Sequence, residues 1–74
     1  MPDPNLVADI IEAVHVLADE SATGDVAGGD LARYLGRDPE DPELYHALRY
    51  AERRGDVDCD WPGGMELPYA VRTL

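Results

Sequence analysis

The fold is decided by residues 41–57, which read DPELYHALRYAERRGDV. A residue before proline is disfavoured in the α region, so Asp41 is expected to stay extended and to cap a helix that begins at Pro42. Apolar residues then recur at helical spacing and predict a buried stripe of Leu44, Ala47, Leu48 and Ala51. Gly55 supplies the C-terminal stop, behind two arginines that suit the negative end of the helix dipole.

Two more helices are predicted upstream of this segment. The first has Asp3 as its cap and Pro4 at its first position, and residues 21–24 end it. Its apolar stripe consists of Leu6, Val7, Ile10, Ile11, Val14, Leu17 and Ala18. Val26 then suits a few residues of strand. The sequence Gly28-Gly29-Asp30 leads into a short helix over residues 31–35, which Gly36 stops.

A β-hairpin is predicted downstream. Three apolar residues alternate with aspartates, a period of two that is typical of a half-buried strand; they are Val57, Cys59 and Trp61. Residues 61–64, WPGG, suit a type II turn with proline second and glycine third. The return strand is predicted from the alternation of Met65, Leu67, Tyr69 and Val71. Pro68 lacks an amide donor, so it places that strand at a sheet edge or breaks it.

The order of helix, short strand, short helix, turn, helix and hairpin resembles that of the winged helix-turn-helix family. Residues 30–36, DLARYLG, are similar to the family's second helix, with its Leu-Ala start and Leu-Gly finish. Residues 47–57, ALRYAERRGDV, are similar to its third helix running into the wing. The resemblance covers nearly the whole chain. It implies a single α+β winged-helix domain over residues 1–74, with about three helices, a small antiparallel sheet and a C-terminal β-hairpin wing.

In DNA-binding members of this family the third helix enters the major groove and the wing touches the backbone or the minor groove. The resemblance therefore implies nucleic-acid contacts from a set on and beside the third helix: Arg33, Arg37, Tyr45, His46, Arg49, Tyr50 and Arg53. Positions 46, 49, 50 and 53 follow helical spacing and share one face away from the buried stripe. The alternative interpretation is an ordinary solvated helix face.

The charge pattern favours two different functions. Sixteen acids against six arginines give a net charge of −10, which excludes an indiscriminate coat on nucleic acid or anionic membrane. Five of the six arginines lie in residues 25–54, which favours a nucleic-acid role for that segment. Four carboxylates crowd the start of the third helix and oppose phosphate binding there: Asp38, Glu40, Asp41 and Glu43. The wing tip also has no base.

These observations leave two hypotheses. In the first, the chain is a small DNA-binding transcriptional regulator that binds double-stranded DNA as a homodimer through its third helix. In the second, it is a non-DNA-binding winged-helix protein-protein interaction module whose acidic surface binds a basic protein. The Lys-free, Asp-rich composition resembles that of haloarchaeal and actinobacterial proteins, so the acidity also has a habitat explanation. In molar salt the Debye length shrinks to about 3 Å, and charge repulsion is mild.

No catalytic, metal or cofactor site is predicted, and we expect a non-enzyme. The spacing Asp56-x-Asp58-x-Asp60 matches the start of an EF-hand loop, but residues 61 and 67 do not supply the required Gly and Glu. The only soft metal ligands are far apart: His15, His46 and Cys59. The cysteine alternates with apolar residues, so we expect a small buried hydrophobe.

Two further expectations concern partners and compartment. The apolar residues of the predicted hairpin could be core or an exposed wing, and we expect most of them to face inward, as a small domain needs aromatics in its core: Trp61, Met65, Leu67 and Tyr69. Trp61 and Met65 flank the predicted turn, so of these four we expect them to be exposed and to contact a protein partner. No apolar run approaches about 18 residues, and the N-terminus has no basic region, so we expect a cytoplasmic protein without membrane contact. One cysteine cannot close an intramolecular disulfide.

Overall fold

Three helices and a small antiparallel sheet make up the computed structural model, which describes residues 2–64 and 66–74. The helices are α1 (Pro4–Glu20), α2 (Gly28–Leu35) and α3 (Pro42–Arg53). The strands are β1 (Val57–Asp60) and β2 (Ala70–Thr73), which pair antiparallel. The predicted α+β architecture, with three helices and a small sheet near the C-terminus, is confirmed.

The helix boundaries have the local causes that the sequence indicates. The carboxylate of Asp3 accepts a hydrogen bond from the backbone N–H of Asn5 at 2.9 Å, and proline follows this cap. Asp41 caps α3 in the same way, through the N–H of Glu43 at 2.9 Å. Gly36 ends α2 with a φ of 69°, a left-handed conformation that glycine adopts without a steric penalty. α2 begins at position 28, three residues earlier than predicted.

Val71 occupies the centre of the sheet. Its backbone N–H donates to the carbonyl of Val26 at 2.7 Å, and its own carbonyl accepts from the N–H of Val26 at 2.8 Å. Because both polar backbone groups of Val71 face Val26, β1 lies along the other edge of β2, with Cys59 opposite Val71. The predicted short strand at Val26 is therefore a single bridge that attaches β2 to the segment between α1 and α2.

The connection between the strands differs from the predicted tight hairpin. The last pair of β1 and β2 joins Asp60 to Ala70, so residues 61–69 lie between the strands. The prediction that Trp61 belongs to the first strand and that the return strand contains residues 67 and 69 is wrong. Of the two alternatives predicted for Pro68, the broken strand is the correct one, since β2 begins only at Ala70. Pro68 has no N–H for a ladder, and its carbonyl accepts from the N–H of Gly28 at 3.1 Å. Tyr69, predicted to face inward, is 74 % exposed.

The core is one cluster of buried apolar side chains drawn from every helix and both strands. Its largest fully buried members are Ile10, Leu31, Leu44, Leu48, Val14, Val57 and Val71. α1 packs against both other helices and against β2, and β1 contacts β2 and α3. Cys59 is buried among these residues, as predicted.

Gly28 is the point where α2 and the inter-strand connection approach most closely. A Cβ at this position would lie 2.6 Å from the carbonyl oxygen of Pro68 and 2.8 Å from the Cβ of Leu67. Both distances are shorter than van der Waals contact. Only glycine allows the backbone N–H of residue 28 to reach Pro68, so this residue fixes the path of the connection.

We expect Gly28→Ala to destabilise the protein by about 1–3 kcal/mol, because the added methyl group must push the connection away from α2. Urea unfolding followed by circular dichroism measures this change. Gly29→Ala is the matched control, since a Cβ there meets no atom within 4 Å. Equal losses of stability in the two variants would contradict the close-approach argument.

Candidate nucleic-acid interface

The outer face of α3 borders an open groove of about 670 Å³ that extends to the start of α1. The groove is lined by Pro2, Asp3, Leu6, Glu43, His46, Arg49, Tyr50 and Arg53. All four residues predicted to share a helix face therefore lie along the same groove. Their role in DNA contact stays a prediction.

Arg53 is the most available cation of this groove. Its side chain is exposed, and among the residues that the structure describes no carboxylate lies within ion-pair distance of it. His46 is also exposed, whereas Tyr50 is half-buried and packs against the core. The neighbouring Arg54 differs, because its Nε lies 3.3 Å from Asp56 Oδ2 and its guanidinium lies 5.5 Å from the ring centroid of Tyr50.

Arg49 is held by contacts within the protein. Its Nε donates to the hydroxyl of Tyr45 at 3.2 Å, and its Nη1 lies 3.6 Å from Glu52 Oε1. The guanidinium carbon lies 3.8 Å from the centre of the Trp61 ring, a cation–π contact. The Arg49 side chain is only 36 % exposed as a result. Arg49, one of the predicted DNA contacts, therefore already has partners within the protein.

Trp61 and Glu52 complete this arrangement. The indole N–H of Trp61 donates to both carboxylate oxygens of Glu52 at 3.0 Å, and Tyr45 packs edge-on against the indole with centroids 5.5 Å apart. We call these four residues, Tyr45, Arg49, Glu52 and Trp61, the Arg49 clamp. Sequence analysis missed Glu52, although its spacing of three residues from Arg49 was a usable signal.

The expected protein-contact residues have different outcomes. Trp61 is half-buried instead of exposed, because its ring covers Arg49 and its N–H is bonded to Glu52. Met65 lies outside the residues that the structure describes. No local pattern could have placed Trp61 on α3, since the contact depends on how the hairpin packs against the helix.

Arg37 and Arg33 differ in how strongly carboxylates hold them. Arg37 Nη1 lies 2.8 Å from Asp41 Oδ2 and 3.8 Å from Glu43 Oε2, so it links the turn after α2 to the start of α3. The hydrogen bond from Arg37, with a second from the backbone N–H of Glu43, holds the pKa of Asp41 below its ordinary value. Arg33 is 83 % exposed and has one solvent-facing contact, with Asp30 at 3.3 Å.

Arg72 binds aspartates on both sides of β2. Its guanidinium contacts Asp58 and Asp60 at 2.6 Å and Asp25 at 3.0 Å. Hydrogen bonds to Asp60, Asp25 and Asp58, in that order of effect, raise the pKa of Arg72. Two of the three aspartates in the EF-hand-like pattern thus join β1 to β2. Within residues 2–64 and 66–74, no cluster of three or more His, Cys, Asp or Glu side chains is arranged to hold a metal ion.

Comparisons with protein-family models, curated proteins and solved structures find no match for this chain. The winged helix-turn-helix assignment therefore stays a prediction from element order and local residues. No helix in the described part of the chain has the length and apolar character needed to cross a membrane.

The link between Arg37 and Asp41 predicts a pH-dependent contribution to stability. Because the folded state lowers the pKa of Asp41, this contribution is complete above the unfolded pKa of about 4 and is lost as the pH falls through the folded value. Arg37→Gln should lower the melting temperature at pH 7, and the difference from the parent protein should shrink below about pH 4. Arg33→Gln is the control and should follow the parent protein throughout. A pH-independent difference for Arg37→Gln would contradict this assignment.

The thiol of Cys59 should be unreactive in the folded protein. Burial, with the negative charges of Glu52 and Asp58, raises the pKa of Cys59 to about 12, so the thiolate is scarce at pH 8. We expect slow alkylation of the native protein by iodoacetamide and fast alkylation in denaturant, followed by mass spectrometry. Equal rates in the two states would show that β1 does not shield this side chain.

Proposed function

We propose that this chain is a small winged-helix DNA-binding domain, of the kind found in transcriptional regulators, that contacts double-stranded DNA with the outer face of α3. One observation carries the proposal: α3 presents His46, Tyr50 and Arg53 along one open groove, and Arg53 has no carboxylate partner in the described part of the chain. An exposed guanidinium beside a histidine and a tyrosine offers both phosphate contact and hydrogen bonds to base edges.

Several arginines already contact carboxylates within the protein, which limits the number of phosphate contacts that such a complex can contain. Arg53 is exposed without a carboxylate partner in the described residues, and Arg33 is 83 % exposed with one solvent-facing ion pair, to Asp30. The guanidinium groups of Arg37, Arg49 and Arg72 contact carboxylates at half-buried positions. Each phosphate contact contributes about −0.9 to the slope of log K against log salt concentration, so two exposed arginines give a slope near −2. With contacts from these two arginines alone, the proposed complex therefore depends only modestly on salt.

Two carboxylates at the groove oppose DNA. Asp3 and Glu43 line it together with the arginines, so a phosphate that reaches Arg53 also approaches negative charge. Concentrated salt screens this repulsion, because the Debye length shrinks to about 3 Å at molar salt. The same salt also weakens each phosphate contact. Binding is expected to be easiest to detect at a salt concentration that balances these two effects.

A second candidate function has its own support. The outer face of α1 carries four exposed carboxylates, and none has a basic partner within ion-pair distance in the described residues: Asp9, Glu12, Asp19 and Glu20. Val16, 38 % exposed, lies on the same side of the helix. This surface suits a basic protein partner, in keeping with the hypothesis of a protein-protein interaction module.

A backbone amide chemical-shift titration separates the two functions. The protein is titrated with a short mixed-sequence DNA duplex and, separately, with an arginine-rich peptide, each at low and high salt. Shifts at His46, Tyr50 and Arg53 with DNA that fade as salt is added support DNA binding. Silence with DNA, together with peptide-induced shifts along α1, would replace that proposal with the protein-interaction module.

Arg53→Gln should weaken DNA binding and reduce the salt slope by about 1, because one phosphate contact is lost. Fluorescence anisotropy with a labelled duplex measures the affinity at several salt concentrations. Arg54→Gln is the matched control: it makes the same change in net charge one residue away, at an arginine occupied by Asp56 and Tyr50. Equal losses in both variants would show that net charge, and not a contact at position 53, controls the affinity.

A further inference from the structure

The carboxylate of Glu52 contacts the one arginine that the helical pattern places at the middle of the α3 face. It lies 3.6 Å from Arg49 Nη1 and also accepts the indole N–H of Trp61. A DNA phosphate would approach the same guanidinium, and carboxylate and phosphate oxygens accept the same kind of hydrogen bond from arginine. Glu52 and DNA are therefore competitors for Arg49.

We propose that Glu52 is an intramolecular competitor of DNA phosphate, which keeps Arg49 in the clamp until a phosphate replaces the carboxylate at Nη1. This inference rests on the proposed DNA binding and specifies how its site is regulated. It assigns Glu52 and Trp61 the role of positioning residues, since they act through Arg49.

The contacts of the clamp suit such an exchange. The Arg49–Glu52 distance is long for a charge-assisted hydrogen bond, and the pair is partly exposed, so the attraction between them is weak. The stacking on Trp61 and the bond from Arg49 Nε to Tyr45 hold the plane of the guanidinium without using Nη1. After exchange, Glu52 retains both short contacts with the indole N–H, so its charge keeps a hydrogen-bond donor.

The clamp also contains its own spectroscopic reporter. Trp61 is the only tryptophan of the chain, and the guanidinium of Arg49 lies 3.8 Å above its ring. When Arg49 Nη1 exchanges its contact with Glu52 for a contact with phosphate, the charges around the indole change. We therefore expect the tryptophan emission to change as DNA saturates the protein.

The decisive variant is Glu52→Gln, whose amide oxygen still accepts the indole N–H while the negative charge is removed. We expect it to bind DNA about fivefold more tightly than the parent protein, the ratio that corresponds to a surface ion pair of about 1 kcal/mol. Glu12→Gln on the exposed side of α1 makes the same change in net charge and is the matched control. The gain should be larger in Glu52→Gln than in Glu12→Gln.

The outcomes separate this inference from the function on which it rests. If the parent protein and both variants fail to bind the duplex, DNA binding itself is wrong and the competitor role falls with it. If the parent binds and the two variants gain equally, DNA binding stands and the competitor role is overturned. Should Glu52→Gln not fold, the parent protein still decides: a tryptophan emission that does not change at saturating DNA contradicts the exchange at Arg49.

Discussion

The backbone pairing of Val71 with Val26 is the constraint on which the rest of the structure depends. Val71 is fully buried, and both of its polar backbone groups bond to the segment that joins α1 to α2. On its other side β2 carries β1, so this pairing attaches the whole hairpin to the helical part of the molecule. Arg72, the next residue, strengthens the same junction because its guanidinium contacts Asp25 on one side and two aspartates of β1 on the other.

The position of the hairpin then determines the state of the α3 face. Trp61 follows β1 directly, so the attachment of β1 places the indole against α3, where it meets Arg49 and Glu52. In a chain with six arginines and sixteen acids, each arginine that pairs internally is less available for external contacts. The sheet thus positions the tryptophan that covers Arg49 on the candidate interface.

The helix starts could be predicted from residues that are neighbours in the sequence. The path of the chain between β1 and β2 also depends on contacts between residues far apart in the sequence. Proline after Asp3 and after Asp41 marks two helix starts because the cap and its proline are neighbours in sequence. Pro68 marked in the sequence where the return strand could break, but the contact that holds its carbonyl, from the N–H of Gly28 forty residues away, could not be predicted. The helical spacing found the groove-facing residues of α3, but it could not show that Arg49 is engaged, since Trp61 lies twelve residues further along the chain.

The ion pairs within the protein also help to explain how so acidic a chain folds. The aspartates of β1 are matched by Arg72 and the cap of α3 is matched by Arg37, so these carboxylates repel the rest of the protein less than the net charge indicates. The carboxylates without a described basic partner on α1 lie on its solvent side, away from the core. In concentrated salt their influence reaches only about 3 Å. In the proposed DNA complex, binding then depends on the groups that touch the α3 face: Arg53 attracts phosphate, whereas Glu52 competes with phosphate for Arg49.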